Sequence, residues 1–328
     1  MPLSEGQQDL VSNAAINACD MVGGQHLGFI LDPAECRYNP VNDKNVICSA
    51  FGGANATENC VTPDQAKAMN KIWYGMTSDG SAPSPDVDNG WSPSPSGLQR
   101  WYGLTRGTSL YAAFYKNFGF NGLAGVTGPF PIASDQVALE LQDPTIAAPN
   151  FQNATGNGAN GWRSLSYAQL NNAFDRGIAL QSEFGRINTD KADLAAFKNS
   201  GGKMLTYHGL ADELIMPQGT VNYYQRVMSE LEGLDAVTSF YRLYLVPGVG
   251  HGSPNGTSNP SANPPVVPDD LMYGLITDWV EKGNAPDRVD LTSPSSTPME
   301  KSLPMCVYPK KPVYKTGSPF EAASYSCA

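Results

Sequence analysis

Two segments decide how this chain folds: Lys203-Met204-Leu205-Thr206-Tyr207-His208-Gly209-Leu210-Ala211-Asp212 and Phe240-Tyr241-Arg242-Leu243-Tyr244-Leu245-Val246-Pro247-Gly248-Val249-Gly250-His251. Residues 203–209 and 240–246 are short apolar and aromatic runs that stop at Gly or Pro, the pattern of a strand feeding a turn. Around them, Thr189-Asp190 caps a helix running through Phe197 and ended by Gly201-Gly202. Pro217 to Leu231 reads as a helix, and so does Asp269 to Glu281, with Leu271, Leu275 and Trp279 spaced along one face. Helix, strand, helix, strand, helix is the rhythm of a parallel α/β sheet covered on both faces.

In open α/β sheets the working groups stand in loops at the carboxyl ends of the strands. Here an acid, Asp212, follows one strand and a histidine, His251, follows the next. That order is the tail of the Ser…Asp…His arrangement of α/β-hydrolases. Asp212 would accept the Nδ1 proton of His251 and fix its tautomer. The other ring nitrogen would then take a serine proton and return it to the leaving alcohol. A lone aspartate after a strand is more often a cap, and a lone histidine among glycines is more often solvated. The pair carries the argument, because the chain has only 3 histidines. His208, within the strand end, reads as structural, and His26 as a solvated loop residue.

The nucleophile is missing from the pattern. No Gly-x-Ser-x-Gly occurs in the 328 residues. Cys48-Ser49-Ala50-Phe51-Gly52-Gly53 has a superficial likeness to a serine elbow but lacks the flanking strand and helix. Ser109 is no better placed. The serine is expected on a segment upstream of Met1.

The remaining sequence is loop-rich, with 33 glycines and 26 prolines. Helices are expected over residues 4–20, with Ser4 as N-cap, and from Pro63 to Tyr74, with Thr62 as cap and Pro63 at the first position. Residues 22–62, 77–98 and 144–163 read as turns and loops. A net charge of −10 repels nucleic acid, and no Lys/Arg cluster offsets it. Apolar stretches fall far short of the roughly 18 residues a membrane span needs. The 6 cysteines group locally as Cys19 with Cys36, Cys48 with Cys60 and Cys306 with Cys327, one ordering among the many connectivities they allow. Sequons at Asn55, Asn153 and Asn255 join them in pointing to a secreted protein. No signal-peptide pattern follows Met1, which is expected of a processed or truncated product.

Several segments match a known family in order and spacing. They are Ala18-Cys19-Asp20 with Asp32-Pro33-Ala34-Glu35-Cys36, Cys60-Val61-Thr62-Pro63-Asp64-Gln65, Tyr207 through Ile215, and Trp279-Val280-Glu281-Lys282-Gly283-Asn284-Ala285-Pro286. With these the chain resembles the C-terminal part of the tannase/feruloyl esterase family of serine esterases. The resemblance implies an α/β-hydrolase core with a large loop-rich lid. It divides the chain into a lid with a short leading helix (1–165), the C-terminal part of the hydrolase domain (166–300) and a disulfide-closed tail (301–328). It also implies esters of phenolic acids, such as galloyl or feruloyl esters, as substrates, with Asp212 and His251 in the triad.

Three departures stand out. The family's Cys-Ser-x-Gly-Gly elbow is absent, so a serine-bearing N-terminal segment is expected as a partner. Gly252 follows His251 where the family places a cysteine bonded to the one beside the serine. The family's lid calcium loop keeps Asp20 and Asp32 but has Gly23, Leu27 and Leu31 in place of further aspartates, so the calcium site is expected to be lost or very weak. No other cofactor is expected. Family members recognise the acid moiety through the lid, where Trp73, Trp91, Trp101, Tyr102 and Phe114 lie. Any one of these is more often lid core than substrate wall. A non-catalytic secreted protein keeping the second half of the fold is the alternative. A calcium-dependent adhesion module is disfavoured by the leucines.

Overall fold

The computed structural model describes residues 3–110, 131–149, 157–183 and 187–328. Helix α1, Glu5–Cys19, opens on a capping box in which the Ser4 hydroxyl accepts from Gln7 N and the Gln7 side chain accepts from Ser4 N. Short strands β1 (Met21–Val22) and β2 (Gln25–His26) pair as a hairpin. Helix α2, Pro63–Tyr74, repeats the device with Thr62 and Gln65. The two caps meet, since Gln65 Nε2 lies 3.1 Å from Gln7 Oε1. Val11 and Ala15 of α1 pack with Ala66, Met69 and Trp73 of α2 and with Val46, Ile47 and Val61. Loops between the helices are closed by Cys19–Cys36 and Cys48–Cys60. Such a bridge contributes about 3 kcal/mol by chain-entropy reasoning.

Helices α3 (Pro131–Leu141) and α4 (Tyr167–Ala179) pack on each other. The next helix, α5, is only Ala195–Asn199, shorter than the expected span from residue 189. Asp190 does not cap it. Its carboxylate binds Arg226 at 2.5 Å, and Asp193 Oδ1 accepts from Ala195 N instead.

The centre follows the expected order: β3 (Met204–Gly209), α6 (Pro217–Glu230), α7 (Leu234–Thr238), β4 (Tyr241–Val246) and α8 (Leu271–Lys282). Strands β3 and β4 are parallel, in register from Met204 opposite Tyr241 to Gly209 opposite Val246. Alternate residues of β4 serve opposite faces, as the pleat requires. Tyr241 and Leu243 pack with Val221, Tyr224 and Val227 of α6. Tyr244 and Val246 pack on the other side with Leu271 and Leu275 of α8.

Along its free side β4 is flanked by the tail, where Tyr308 N donates to Leu243 O at 2.7 Å. The outer edge of β3 pairs with no strand among the described residues. The tail adds two antiparallel pairs, β5 (Arg288–Thr292) with β6 (Ser302–Cys306) and β7 (Pro312–Tyr314) with β8 (Tyr325–Cys327). The Cys306–Cys327 disulfide joins β6 to β8. All three bridges follow the local pairing.

The segment after α2 returns to the core. Thr108 bridges Thr257, Ser109 N donates to Gly256 O at 2.9 Å, and Ser258 N donates to Gly107 O at 3.0 Å. Gly107 has φ +85, and a Cβ there would meet Ile16 at 2.6 Å, so only glycine fits this crossing. The segment that carries His251 is therefore bound to α1 and to residues 105–109.

Candidate active site

The loops after β3 and β4 leave the sheet side by side. Leu210 N donates to Val246 O at 2.8 Å, and Ala211 N to Val249 O at 3.0 Å. Gly209 permits this approach, since a Cβ there would lie 2.3 Å from Val249 O. The crossing brings His251 Nδ1 to 3.2 Å from Asp212 Oδ2.

Asp212 is held on every side. Its residue exposure is only 6%, and Oδ1 accepts from Leu214 N at 2.9 Å and Ile215 N at 2.8 Å. Burial alone would raise its pKa. The hydrogen bonds from His208, Ile215 N and Leu214 N outweigh burial and hold the carboxyl below its ordinary value. An ionised, immobile Asp212 holds the His251 ring with Nδ1–H toward it, which leaves Nε2 as the nitrogen for proton exchange with a reactant.

His208 does more than the structural role expected of it. Its Nε2 lies 3.3 Å from Asp212 Oδ2 and 3.0 Å from Ile215 O, and Nδ1 lies 2.7 Å from Thr220 Oγ1. A carbonyl only accepts, so Nε2 carries a hydrogen and braces Asp212. The His-x-x-x-Asp spacing across the turn was the signal for this contact.

Glu213 was not singled out from the sequence. Its Oε2 accepts from the backbone N of His251 at 3.0 Å. Burial, chiefly, raises its pKa, and the neighbouring Asp212 adds to this. The N–H groups of His251 and of Glu213 itself, and the His251 charge, oppose the rise.

Neither serine weighed from the sequence sits on an elbow. Ser49 is exposed and opens a 3-10 turn, Ser49–Phe51, beside the Cys48–Cys60 bridge. Ser109 is buried in the Gly256 crossing. Among the aromatic candidates, Trp73 belongs to the α1–α2 core, and Trp101 lies against Tyr102 with tilted rings 5.0 Å apart between centroids. Trp91 lines a cavity of about 250 Å³ with Gln218, Val221, Leu245 and Tyr308. Phe114 lies outside the described residues.

The two aspartates of the calcium-type loop are engaged by protein partners. Asp20 is buried, with Oδ1 2.6 Å from His26 Nδ1 and Oδ2 accepting from Gly28 N at 2.7 Å. His26 is therefore not simply solvated. Asp32 is bound by Lys311 and by Ala34 N, and Leu27 is buried against Phe29, Ala262, Leu303 and Tyr325. Among the described residues no three acidic, histidine or cysteine side chains gather as metal ligands.

The fold is of the α/β-hydrolase type. It aligns with the tannin acyl hydrolase from Aspergillus niger at a TM-score of 0.69 and 20% identity, over 100% of this chain and 54% of that one. The sequence matches the family described as "Tannase and feruloyl esterase" over residues 3–328, and the chain belongs to that family. It is 32% identical over 320 residues to a probable feruloyl esterase of Arthroderma benhamiae, covering 96% of this chain and 51% of the relative. It is 26% identical to a tannase of Aspergillus oryzae, covering 96% of this chain and 54% of the relative. The chain thus spans about half the length of these curated relatives.

The carboxyl of Asp212 is depressed in the fold relative to about 3.9 in an unfolded chain. Its stabilisation is therefore complete above that value and is lost as the pH falls through the folded one. Asp212→Asn is expected to cost about 1–3 kcal/mol at pH 7. In urea unfolding at a series of pH values, its gap to the wild type narrows below about pH 4; a gap that stays constant would contradict the assignment.

Proposed function

We propose that this chain is the lid-bearing second half of a serine carboxylesterase acting on esters of phenolic acids, of the feruloyl or galloyl type. The observation that carries the reading is the 3.2 Å approach of His251 Nδ1 to Asp212 Oδ2 at the carboxyl ends of two parallel strands. Family membership supports ester hydrolysis, and the names of the relatives, a probable feruloyl esterase and a tannase, support the substrate class. In this reading residues 1–165 form the lid with its leading helix, 166–300 the hydrolase part and 301–328 the tail.

His251 acts first as base, taking the serine proton on Nε2 as the oxygen attacks the ester carbonyl. It then returns the proton to the leaving alcohol, and the acyl-serine is hydrolysed by the same steps with water. Asp212 holds the ring and stabilises the imidazolium. The serine comes from an N-terminal segment outside these residues, in line with a β3 edge that pairs with no strand among the described residues and with the absence of a Gly-x-Ser-x-Gly elbow in the sequence. The three disulfides and the surface sequon at Asn55 support an extracellular setting. The net charge speaks against nucleic acid as a partner, and no helix among the described residues is long and apolar enough to cross a membrane.

The test is hydrolysis of methyl ferulate and methyl gallate by the protein together with its serine-bearing segment. His251→Ala is expected to lower kcat by about 10²–10⁴-fold. Binding of the free phenolic acids without turnover of either ester would favour the non-catalytic alternative. We also propose that calcium has no role in the lid loop, whose aspartates are taken by His26, Gly28 N, Lys311 and Ala34 N. The melting temperature is expected to be the same in excess calcium and in a chelator; a clear rise with calcium would overturn this.

A further inference from the structure

His251 stands between two glycines. Gly250 precedes it, and Gly252, at φ +63 with nothing near its missing Cβ, follows it. Glycine flanks add little stiffness of their own, so the contacts made at the residue between them set where the ring sits. Backbone ties of the loop lie on either side of the histidine: Ala211 N to Val249 O, Gly250 N to Ser253 O, and Gly256 N to Gly248 O, each at 3.0 Å. At the histidine itself, the backbone N–H is taken by Glu213 Oε2 at 3.0 Å.

We infer that Glu213 is a positioning residue: its carboxylate anchors the main chain of His251 while the adjacent Asp212 holds the ring. The inference rests on the catalytic role proposed for His251, and three observations carry it. Asp212 and Glu213 are consecutive, so a single turn after β3 grips both ends of the same residue. The grip has a fitted shape, because a Cβ on Gly250 would come within 2.7 Å of Glu213 Oε2. The carboxylate is also paid for in desolvation, as the upward push of burial on its pKa shows, a cost that a merely solvated glutamate would not bear.

Anchoring and charge make opposite demands on substitutions. Glu213→Gln keeps the length and an accepting oxygen but loses the charge. Glu213→Asp keeps the charge but withdraws the carboxylate by one methylene. The readout is the tautomer of His251 in long-range proton–nitrogen NMR spectra of the protein as isolated. With 3 histidines in the chain, His251 is assigned by the signal missing from His251→Gln. The wild type and Glu213→Gln are expected to show a single Nδ1–H tautomer for His251. Glu213→Asp is expected to show an averaged mixture of tautomers, with His26 and His208 unchanged as evidence of an intact fold.

A wild-type His251 signal in Glu213→Asp would overturn the inference. So would an averaged signal in Glu213→Gln with Glu213→Asp intact, which would assign the effect to charge. Neither spectrum depends on ester turnover. A protein that turns over neither ester even together with its serine-bearing segment, yet shows the expected tautomers, would sink the proposed function and leave the anchor standing.

Discussion

The structure depends on the parallel pairing of β3 and β4 in one register. Strands that run the same way end at the same edge, so the loops that follow them emerge together. Gly209 opposite Val246 sets the starting point of both loops. A slip of one residue would move the partners by about 3.3 Å and exchange the two faces of the strand. It would carry Asp212 out of reach of His251 and turn Tyr241 and Leu243 away from α6. The apolar packing on both faces therefore protects the geometry of the polar site.

That site uses two neighbouring carboxylates in different ways. Asp212 is buried among donors that hold its carboxyl below its ordinary value. Glu213 is buried with fewer donors, and beside another acid, so its proton is held more tightly. Pushing such values apart is how adjacent carboxyls acquire distinct tasks. Beneath them His208 joins Asp212 to Thr220 of α6, so the acid is braced by the helix that covers the sheet.

Much of this was legible in the sequence, for local reasons. β3, β4, α6 and α8 are set off by Gly, Pro and apolar spacing, and the Asp212–His251 pair follows from their order. The disulfides join near neighbours, so proximity identified them. What was not legible depends on contacts across the fold. Glu213 meets a backbone N–H whose direction only the folded loop defines, and Asp20 finds His26 through the turn between β1 and β2. Arg226 takes Asp190 from the helix it was expected to cap. The tail strands are short and contain Pro304 and Pro312, which blur a strand pattern. α4 carried a readable start, the Ser166–Gln169 capping box, which went unused.

The N-terminal segment and the sheet are also one problem in this chain. Residues 105–109 cross to the His251 segment, and the tail covers the outer side of β4, so among the described residues the far edge of β3 is the side of this pair with no strand beside it. The central claim is that this half supplies the acid and the base while another segment supplies the nucleophile. Labelling the protein with a fluorophosphonate and mapping the modified peptide tests it directly. The account predicts a labelled serine outside residues 1–328, with labelling lost in His251→Ala. A serine within these residues that is labelled in a His251-dependent way would contradict it.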